Sequence, residues 1–511
     1  MKSSYSHPIT VEVKGLSVNF VGHTEEEVSA IKGRYFSYHQ DEFDPRKKRK
    51  VKKSRTLDLI HFGSINYLKN INPEFASRVK IVGFDSVKSW KPLDLSRLSD
   101  IDLGLLDLPE WRNSQLDVLR SCYNKVISNV VAGMGLGKTL IIIALAHLSS
   151  LQGRNVVITA PTDKIRSTIL EKAKQLGLRN FLEYGELRGN YSGQTGLVIV
   201  ANSQPLLNDF SFDTPAMAEF KASVSTLITD ESHNWTRDGW NQLLLHFSSL
   251  HRLVGLSATS VPEHEEGLSY GHISHKTVFT LNACGSVTYR VPREEVEEHT
   301  DVPEIVEVRY VWDQLRYARY SSTRSWKVLK ELMYGNRDRN KFILLLVRLM
   351  QAYGRNTILP VNDKDQAMRL MTELGSDKVV CWFGKKIGAF DIRGKVNPDT
   401  IERRFNSGEY NTIFASSHIK EGFDLPKLDT IILQEGKDDI FAQQSSGRII
   451  RKSNQKSLVV NVADDFYLFE THAKHREHHI TRYYNRTSTR FSSVKQLAAY
   501  VQELNGKNSL Q

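Results

Sequence analysis

The sequence predicts an α/β protein with two parallel-sheet domains in series, preceded by a small α+β domain and followed by a helical extension. From about residue 106, short apolar runs alternate with helical segments, which is typical of parallel strands covered by helices. The same alternation repeats up to about residue 465. Polar residues directly follow the apolar runs, at the carboxyl ends of the predicted strands, where such sheets bind ligands.

Length and pattern together predict four segments. At roughly 100 to 200 residues per domain, a chain of 511 residues suggests three or four domains. We predict an accessory domain at 1–105, a first sheet domain at 106–295, a second sheet domain at 296–465 and a C-terminal extension at 466–511. The predicted strands include RNVVITA, GLVIVAN and STLITDE in the first sheet domain, and TILPV, NTIFASS and SLVVNVAD in the second.

Composition limits the class of protein and its partners. The net charge is +11, from 69 Lys and Arg against 58 Asp and Glu, and this excess favours a polyanionic partner. Cys122, Cys284 and Cys381 fit no zinc spacing and indicate reduced thiols. The N-terminus lacks the apolar core of a signal peptide, and the longest apolar runs are too short to span a bilayer. We therefore expect a soluble, intracellular protein with no membrane partner.

The accessory domain begins with two predicted strands. ITVEVKGLSVNFVG alternates between apolar and polar residues around a turn near Gly15. Thr24 followed by Glu27 is a capping-box pattern, which predicts a helix to about Tyr38. A basic run follows at 46–55, and TLDLIHFG after it predicts a further strand.

A glycine-rich turn between a predicted strand and a predicted helix indicates a nucleotide site. It reads AGMGLGKT, the phosphate-loop pattern with Ala in place of the first Gly. Backbone N–H groups of such a loop surround phosphates, and the following helix points its positive end at them. Lys138 would reach the β- and γ-phosphates, and Thr139 would ligate Mg²⁺. The candidate nucleotide-binding residues of the loop are Ala132, Gly133, Met134, Gly135, Leu136, Gly137, Lys138 and Thr139.

A pair of acidic residues ends the predicted strand in TLITDESH. Asp230 is suited to hold Mg²⁺ through its water shell, and Glu231 to orient or deprotonate the attacking water. An acidic helix cap after a strand would give the same letters. The phosphate loop upstream favours the catalytic interpretation.

The motifs together resemble those of superfamily 2 helicases and translocases, in the same order and at a spacing that fits two RecA-like domains. WRNSQLDVL resembles the nucleotide-sensing motif, which implies that Arg112 and Gln115 lie near the base. APT and ANSQPL resemble motifs that grip the nucleic-acid strand, and they contain Thr162 and Ser203. DESH matches the DExH form of motif II, and LSAT resembles motif III. The residues that this resemblance assigns to coupling of hydrolysis and DNA are His233, Ser257, Ala258 and Thr259.

Two later stretches resemble helicase motifs V and VI. ASSHIKEGFDLP contains Gly422 and Asp424, which the resemblance assigns to the nucleotide. QQSSGRIIR contains Gln444, Arg448 and Arg451, spaced so that they share one face of a helix. The resemblance implies an arginine finger that acts on a γ-phosphate held by the other domain. Such a residue accelerates hydrolysis by about 10³- to 10⁵-fold. ATP would then close the two domains and hydrolysis would release them. A basic helix end is the alternative.

The basic run RKKRKVKKSR contains eight Lys or Arg residues. Three interpretations are open: a solvated loop, a nuclear import signal, and a hairpin loop that contacts duplex DNA. If about six of these residues met phosphates, log affinity would fall with log salt at a slope of about −5. Such contacts add affinity and little sequence preference. The candidate DNA contacts in the run are Arg46, Lys47, Lys48, Arg49, Lys50, Lys52 and Lys53.

The accessory domain also resembles that of UvsW-type phage helicases. The stretch YFSYHQDEFDPRKKRKVKKSRTLDLIHFGSINYLKNI carries this resemblance through a helix, an F-x-P turn, a basic hairpin and a strand. YLFETHAKHREHHITRYYNR resembles the C-terminal helices of the same group. The basic run is denser than in that group, and the GMGLGKT loop is closer to Snf2-type translocases. An origin in a phage would place the protein in the host cytoplasm.

These features predict an ATP-dependent DNA helicase or translocase that uses Mg²⁺ and remodels branched DNA in replication, recombination or repair. Forks, Holliday junctions and R- or D-loops are the expected substrates, and a monomer is the expected state. The enzyme alternatives are a DExH RNA helicase, a Snf2-like duplex translocase and a restriction-type motor subunit. The alternative from another class is a DNA-binding scaffold with an inactive ATPase, against which the intact Lys138, Asp230, Glu231 and Arg451 argue.

Overall fold

The computed structural model describes most of the chain. The described residues are 8–44, 49–82, 111–123, 125–133, 135–187, 191–202, 206, 215–234, 242–247, 249–258, 261–292, 294–295, 302–317, 325–383, 387–416, 425–434 and 455–508. The chain divides into two compact units, Met1–Glu295 and Val296–Gln511.

Within its described residues, the accessory domain combines a three-stranded sheet, a hairpin and three helices. Its elements are β1 (Ile9–Lys14), β2 (Ser17–Phe20), α1 (Glu25–Tyr35), β3 (Ser37–Asp44), β4 (Arg49–Thr56), α2 (Phe62–Ile71), α3 (Pro73–Arg78) and β5 (Val79–Val82). Strand β1 pairs antiparallel with β2, which confirms the predicted pair of strands, and parallel with β5. The turn between β1 and β2 contains Gly15, whose positive φ of 58° favours glycine.

Helix α1 begins where the capping-box pattern predicts. The Glu27 backbone N–H donates to the Thr24 side chain, and the Thr24 backbone N–H donates to the Glu27 carboxylate. The helix ends at Tyr35, slightly earlier than predicted, because Ser37 already begins β3. The two backbone donors at the start of the helix are therefore satisfied by the pattern that the sequence contains.

The strand predicted for TLDLIHFG is wrong. Thr56 ends β4 and Phe62 begins α2, and between them Leu57 and Ile60 are buried. That three-residue spacing does not match the alternation of a strand. The segment forms an isolated antiparallel bridge between His61 and Ser17 instead of a continuous ladder. The Val18 N–H donates to the Ile60 carbonyl at 3.0 Å, and the Phe62 N–H donates to the Leu16 carbonyl at 2.8 Å.

The first sheet domain is built on a seven-stranded sheet. Its strands are β6 (Ile127–Val131), β7 (Asn155–Ala160), β8 (Phe181–Glu183), β9 (Val198–Asn202), β10 (Val224–Asp230), β11 (Arg252–Ser257) and β12 (Val287–Arg290). Its helices are α4 (Asn113–Tyr123), α5 (Lys138–Ser150), α6 (Asp163–Gln175), α7 (Tyr184–Leu187), α8 (Pro215–Ser223) and α9 (His275–Cys284). The order is β12-β6-β11-β10-β7-β9-β8, and every pair is parallel. Strands β7 and β10 are buried along their whole length, as expected for strands covered on both faces.

The accessory domain and the first sheet domain share one hydrophobic core. Leu16 of the accessory domain is buried with Ile127 and Ala283 of the sheet domain. Tyr67 stacks on Tyr270, with ring centroids 5.6 Å apart. Five buried residues from the segment after β11 pack into the core of the accessory domain: Val261, Tyr270, Ile273, Val278 and Leu281.

Polar contacts at the same junction converge on Asn282, which is fully buried. Its side-chain oxygen accepts from the Ser64 hydroxyl at 2.7 Å and from the His61 backbone N–H at 3.0 Å. Its side-chain nitrogen donates to the Leu59 carbonyl at 3.0 Å. At Gly63 a Cβ atom would overlap the carbonyl oxygen of Asn282, so glycine permits the close approach of α2 and α9.

The second unit contains a nine-stranded sheet. Its strands are β13 (Glu304–Tyr310), β14 (Thr357–Pro360), β15 (Val379–Trp382), β16 (Ala389–Asp391), β17 (Gly394–Val396), β18 (Thr412–Ala415), β19 (Thr430–Leu433), β20 (Leu458–Asp464) and β21 (Thr489–Phe491). Its helices are α10 (Gln314–Tyr317), α11 (Trp326–Gly335), α12 (Arg337–Ala352), α13 (Lys364–Leu374), α14 (Ile401–Ser407), α15 (Tyr467–Tyr484) and α16 (Val494–Asn508). The order is β17-β16-β15-β18-β14-β19-β20-β13-β21. All pairs are parallel except those that β16 makes with β15 and β17.

The two parallel sheets with covering helices confirm the predicted α/β class. The C-terminal extension is mainly helical, as predicted, but β21 also joins the edge of the sheet beside β13. Leu497 and Val501 of α16 are buried in the core of the second unit. The extension is therefore packed into this unit. Within the described residues, none of the helices combines the length and apolar character that crossing a bilayer requires.

A buried ion pair lies at the carboxyl ends of β19 and β20. Arg339 donates to both carboxylate oxygens of Asp464, at 2.7 and 2.8 Å, and neither side chain is more than 2% exposed. Arg339 also donates to the backbone carbonyl of Gln434 at 2.7 Å, and Trp312 Nε1 donates to Asp464 at 2.9 Å. The pair thus joins the ends of two neighbouring strands to the start of α12.

Candidate active site

The phosphate loop connects β6 to α5. Gly135 and Gly137 have positive φ angles of 83° and 81°, a region that favours glycine. Gly137 directly precedes the first residue of α5. A Cβ at Gly137 would lie 2.6 Å from the side-chain nitrogen of Gln115, so only glycine fits there without a shift. The loop therefore leaves backbone N–H groups at a helix N-terminus, where an anion is stabilised.

Arg112 and Gln115, which the sequence assigns to the nucleotide base, contact the backbone of the loop. Arg112 donates to the Gly135 carbonyl at 2.9 Å, and Gln115 donates to the Leu136 carbonyl at 2.7 Å. Gln115 also accepts from the Arg112 backbone N–H at 3.2 Å. These bonds link the start of α4 to the phosphate loop and support its conformation.

Three charged residues of the predicted site lie together. Asp230 ends β10, Glu231 follows it, and Lys138 begins α5. The Lys138 Nζ atom is 4.0 Å from a carboxylate oxygen of Glu231 and donates to the Ala132 carbonyl at 3.4 Å. The Glu231 backbone N–H donates to the Asp230 carboxylate at 3.0 Å. The strand end and the loop are thus joined at the carboxyl edge of the parallel sheet.

The two adjacent carboxylates have opposite pKa shifts. Burial, and then the neighbouring charge of Glu231, raise the pKa of Asp230 above its ordinary value. Burial also opposes ionisation of Glu231, but Lys138, His233 and Ser257 outweigh it and lower the pKa of Glu231. Glu231 is therefore ionised at neutral pH. A cation bound nearby would favour the ionised form of the buried Asp230.

His233 and Ser257 form a triangle of contacts with Glu231. The His233 Nδ1 atom is 2.7 Å from the Ser257 hydroxyl and 3.2 Å from the Glu231 carboxylate. The Ser257 hydroxyl donates to Glu231 at 3.2 Å. Glu231 has a positive φ of 53°, a strained conformation for a residue with a side chain. His233 of motif II and Ser257 of motif III therefore hold the Glu231 carboxylate in one orientation. Ala258 of motif III directly follows Ser257 in the chain.

The donor set fits a magnesium nucleotide. Mg²⁺ prefers oxygen ligands, and the carboxylate of Asp230 and the hydroxyl of Thr139, in the first turn of α5, are of that type. The positive φ angles of Gly135 and Gly137 are those that let the backbone of a phosphate loop turn its N–H groups toward an anion. Bound Mg²⁺ would neutralise charge on the phosphoryl oxygens.

Several predicted site residues lie outside the described residues, and their roles stay predictions. These are Arg46, Lys47, Lys48, Met134, Ser203, Thr259, Gly422, Asp424, Gln444, Arg448 and Arg451. The backbones of Arg49 and Lys50 lie in β4. Thr162 caps α6, where its hydroxyl accepts from the Ile165 backbone N–H at 3.3 Å. Gly133 follows the buried Ala132 in the loop.

Much of the basic run lies in strand β4 of an antiparallel hairpin. Lys52, Lys53 and Arg55 are all exposed. Glu42 on the facing strand was not among the residues predicted from the sequence. Its carboxylate lies 2.8 Å from Lys53 Nζ and also accepts from Arg55. The signal was present in HQDEFD, whose acidic residues face the basic strand once the two are paired.

Two protein-family models match parts of this chain. Residues 109–261 match the family model "Type III restriction enzyme, res subunit", and residues 340–453 match "Helicase conserved C-terminal domain". The chain is 21% identical over 390 residues to the DNA 3'-5' translocase XPB2 of Sulfurisphaera tokodaii, which covers 70% of this chain and 82% of that protein.

Solved structures also match this chain. Dbp5 of S. cerevisiae, bound to RNA and ADP BeF3, matches with a TM-score of 0.54 and 13% identity, covering 81% of this chain and 99% of that one. T4 UvsW matches with a TM-score of 0.41 and 17% identity, covering 95% of this chain and 99% of that one. The helicase domains imply that the chain uses ATP. The matched models, the tandem parallel-sheet fold and the ordered motifs together show that this chain belongs to superfamily 2 of the helicases and translocases.

Proposed function

We propose that this chain is an ATP-dependent DNA helicase or translocase that uses Mg²⁺ and acts on branched DNA, such as forks and Holliday junctions, in replication, recombination or repair. One observation carries the proposal. A single compact unit, Met1–Glu295, contains both the phosphate loop with its acidic strand end and an exposed basic hairpin. A motor that holds duplex DNA needs a surface for phosphates as well as a site for ATP.

In the proposed reaction, each described residue has one task. Lys138 would bind the β- and γ-phosphates, and Thr139 with Asp230 would hold Mg²⁺. Glu231 orients the attacking water and accepts its proton. The lowered pKa of Glu231 keeps it ionised for this role, and its contact with Ser257 fixes its orientation. The predicted Arg448 and Arg451 would stabilise charge on the transferred phosphoryl group.

Two observations support DNA as the substrate. The relative from Sulfurisphaera tokodaii is named a DNA translocase. The hairpin adds a basic surface formed by paired strands, and Lys52, Lys53 and Arg55 would contact phosphates there. Branched substrates offer two duplex arms, one for the motor and one for the hairpin. We propose that the protein acts on them as a monomer.

The test is steady-state ATP hydrolysis with a panel of nucleic acids: a fork, a four-way junction, a linear duplex and an RNA duplex. We expect the fork and the junction to stimulate hydrolysis most, and to be unwound or branch-migrated. Lys138→Ala should abolish hydrolysis because the phosphates lose their cation. Lys125→Ala is the matched control, since Lys125 is exposed just before β6 and lies outside the loop sequence.

Each alternative has its own outcome in this panel. Stronger stimulation by RNA than by forked DNA would favour a DExH RNA helicase. Equal stimulation by linear and forked duplex would favour a Snf2-like translocase. Full activity in Lys138→Ala, or no hydrolysis in the unaltered protein, would contradict the motor.

A further inference from the structure

The hairpin of β3 and β4 has two faces with different charge. Directly paired residues of an antiparallel ladder lie on the same face. One face carries the pairs Tyr38 with Arg55, Gln40 with Lys53, and Glu42 with Val51; the other carries His39 with Ser54 and Asp41 with Lys52. Lys53 and Arg55 therefore lie on one face of the hairpin, and Lys52 lies on the other.

Glu42 binds both cations of its face. One carboxylate oxygen lies 2.8 Å from Lys53 Nζ. The other accepts from Arg55 Nε at 2.9 Å and from a second guanidinium nitrogen of the same residue. Arg55 is paired with Tyr38, four residues from Glu42 along β3, so its side chain extends along the strand to reach the carboxylate. These hydrogen bonds, from Lys53 first and then Arg55, lower the pKa of Glu42.

The arrangement places two anionic oxygens where a DNA phosphate would meet the same cations. Carboxylate and phosphate both accept charge-assisted hydrogen bonds from Lys and Arg. The side chains of Lys53 and Arg55 are 55% and 52% exposed, against 23% for Glu42, so the cations remain reachable from solvent. A carboxylate held there reduces the positive potential of this face and competes with phosphate.

We propose that Glu42 sets how many phosphates the hairpin contacts, by holding Lys53 and Arg55 in place of a DNA phosphate. On linear duplex these two residues stay bound to Glu42, and Lys52 on the opposite face makes its contact independently. The inference rests on the proposed function, because it assumes that the hairpin meets DNA. It assigns to Glu42 a role in limiting non-specific binding that the count of cations in the run does not predict.

The test is the salt dependence of DNA binding in Glu42→Gln, measured by fluorescence anisotropy with a short linear duplex between roughly 50 and 200 mM salt. Each added phosphate contact steepens the slope of log affinity against log salt by about 0.9. We therefore expect Glu42→Gln to bind more tightly at low salt, with a slope steeper by about 1 to 2. In the triple variant Glu42→Gln, Lys53→Gln, Arg55→Gln this steepening should disappear.

Glu74→Gln is the matched control. Glu74 also binds two arginines of the accessory domain, Arg34 at 2.7 Å and Arg78 at 3.3 Å, but it lies on α3 and not on the hairpin. The substitution changes the net charge by the same amount, so an equal steepening in Glu74→Gln would show a general charge effect and overturn the inference. Thermal unfolding of both variants checks that the domain remains folded.

Lys52→Gln separates the inference from the proposed function. If Lys52→Gln makes the slope shallower while Glu42→Gln leaves it unchanged, the hairpin contacts DNA and the role of Glu42 is overturned. If Lys52→Gln leaves the slope of the unaltered protein unchanged, and adding Lys53→Gln and Arg55→Gln leaves the slope of Glu42→Gln unchanged, the hairpin contact of the proposed function fails as well.

Discussion

The side-chain oxygen of Asn282 accepts a 2.7 Å hydrogen bond from the hydroxyl of Ser64, although 218 residues separate them in sequence. This bond joins the accessory domain to the first sheet domain inside a shared core. Because Asn282 also binds the backbone at His61 and Leu59, one side chain of the sheet domain satisfies three groups of the accessory domain. The hairpin and the phosphate loop therefore belong to one folded unit.

Replacing Asn282 tests this junction. Asn282→Ala removes the partner of two buried groups and of the partly buried Leu59 carbonyl, and each buried group that loses its hydrogen bond costs about 1–3 kcal/mol. We expect a clear loss of stability in urea unfolding followed by circular dichroism. Asn70→Ala at the same junction is the control, because Asn70 donates to Ser286 in an exposed position. Equal losses of stability in the two variants would contradict the conclusion that the Asn282 hydrogen bonds stabilise the junction.

Two glycine substitutions should have opposite signs. In Gly63→Ala the new Cβ meets backbone carbonyl oxygens, including those of Leu281 and Ala283 at 2.7 Å, so helices α2 and α9 must move apart. Overpacking of this kind costs about 1–3 kcal/mol. Gly33→Ala lies in α1 with nothing within 4 Å, and the same change there should stabilise by about 0.5–1 kcal/mol. Thermal unfolding measures both, and a neutral Gly63→Ala would show that the junction is loose.

Glu231→Gln should separate ATP binding from hydrolysis. The amide retains the shape of the side chain and its contact with Ser257, but it cannot accept a proton from water. We expect kcat to fall by about 10²–10⁴-fold, with little change in the affinity for a fluorescent ATP analogue. Glu183→Gln, on the distant strand β8, is the isosteric control. Retained hydrolysis in Glu231→Gln would assign the base to another residue.

The buried pair of Arg339 and Asp464 should show strong coupling. Asp464→Leu leaves a guanidinium buried without its carboxylate, which costs about 3–5 kcal/mol. The double variant Arg339→Met, Asp464→Leu should recover part of that loss, because an apolar pair of similar volume is often tolerated. Unfolding in guanidinium of the unaltered protein, the single variants Arg339→Met and Asp464→Leu, and the double variant gives the coupling energy. Additive effects would mean that the pair contributes no specific interaction.

The sequence predicted most reliably what depends on neighbouring residues. The phosphate loop needs only a few consecutive residues between a strand and a helix, and the capping box of Thr24 and Glu27 lies within one helical turn. The parallel sheets were predictable because strands buried on both faces give continuous apolar runs.

Long-range features were not predictable in the same way. The contact of Glu42 with Arg55 depends on the register of two strands, and the bond between Ser64 and Asn282 on the packing of distant helices. The false strand at TLDLIHFG has the same cause. Leu57 and Ile60 of this segment are buried against residues of the sheet domain, which are distant in sequence. The local alternation of apolar residues therefore does not predict its backbone conformation.

The shared core also sets an order of events during synthesis. The accessory domain is made first, but Val261, Tyr270 and Leu281 complete its interior. At roughly 5–20 residues per second, the ribosome needs about 10–40 s to extend the chain from residue 82 to residue 287. Throughout that interval the apolar surface of the first strands and helices has no native cover. We therefore expect the nascent chain to bind chaperones that recognise exposed apolar segments until the first sheet domain has emerged.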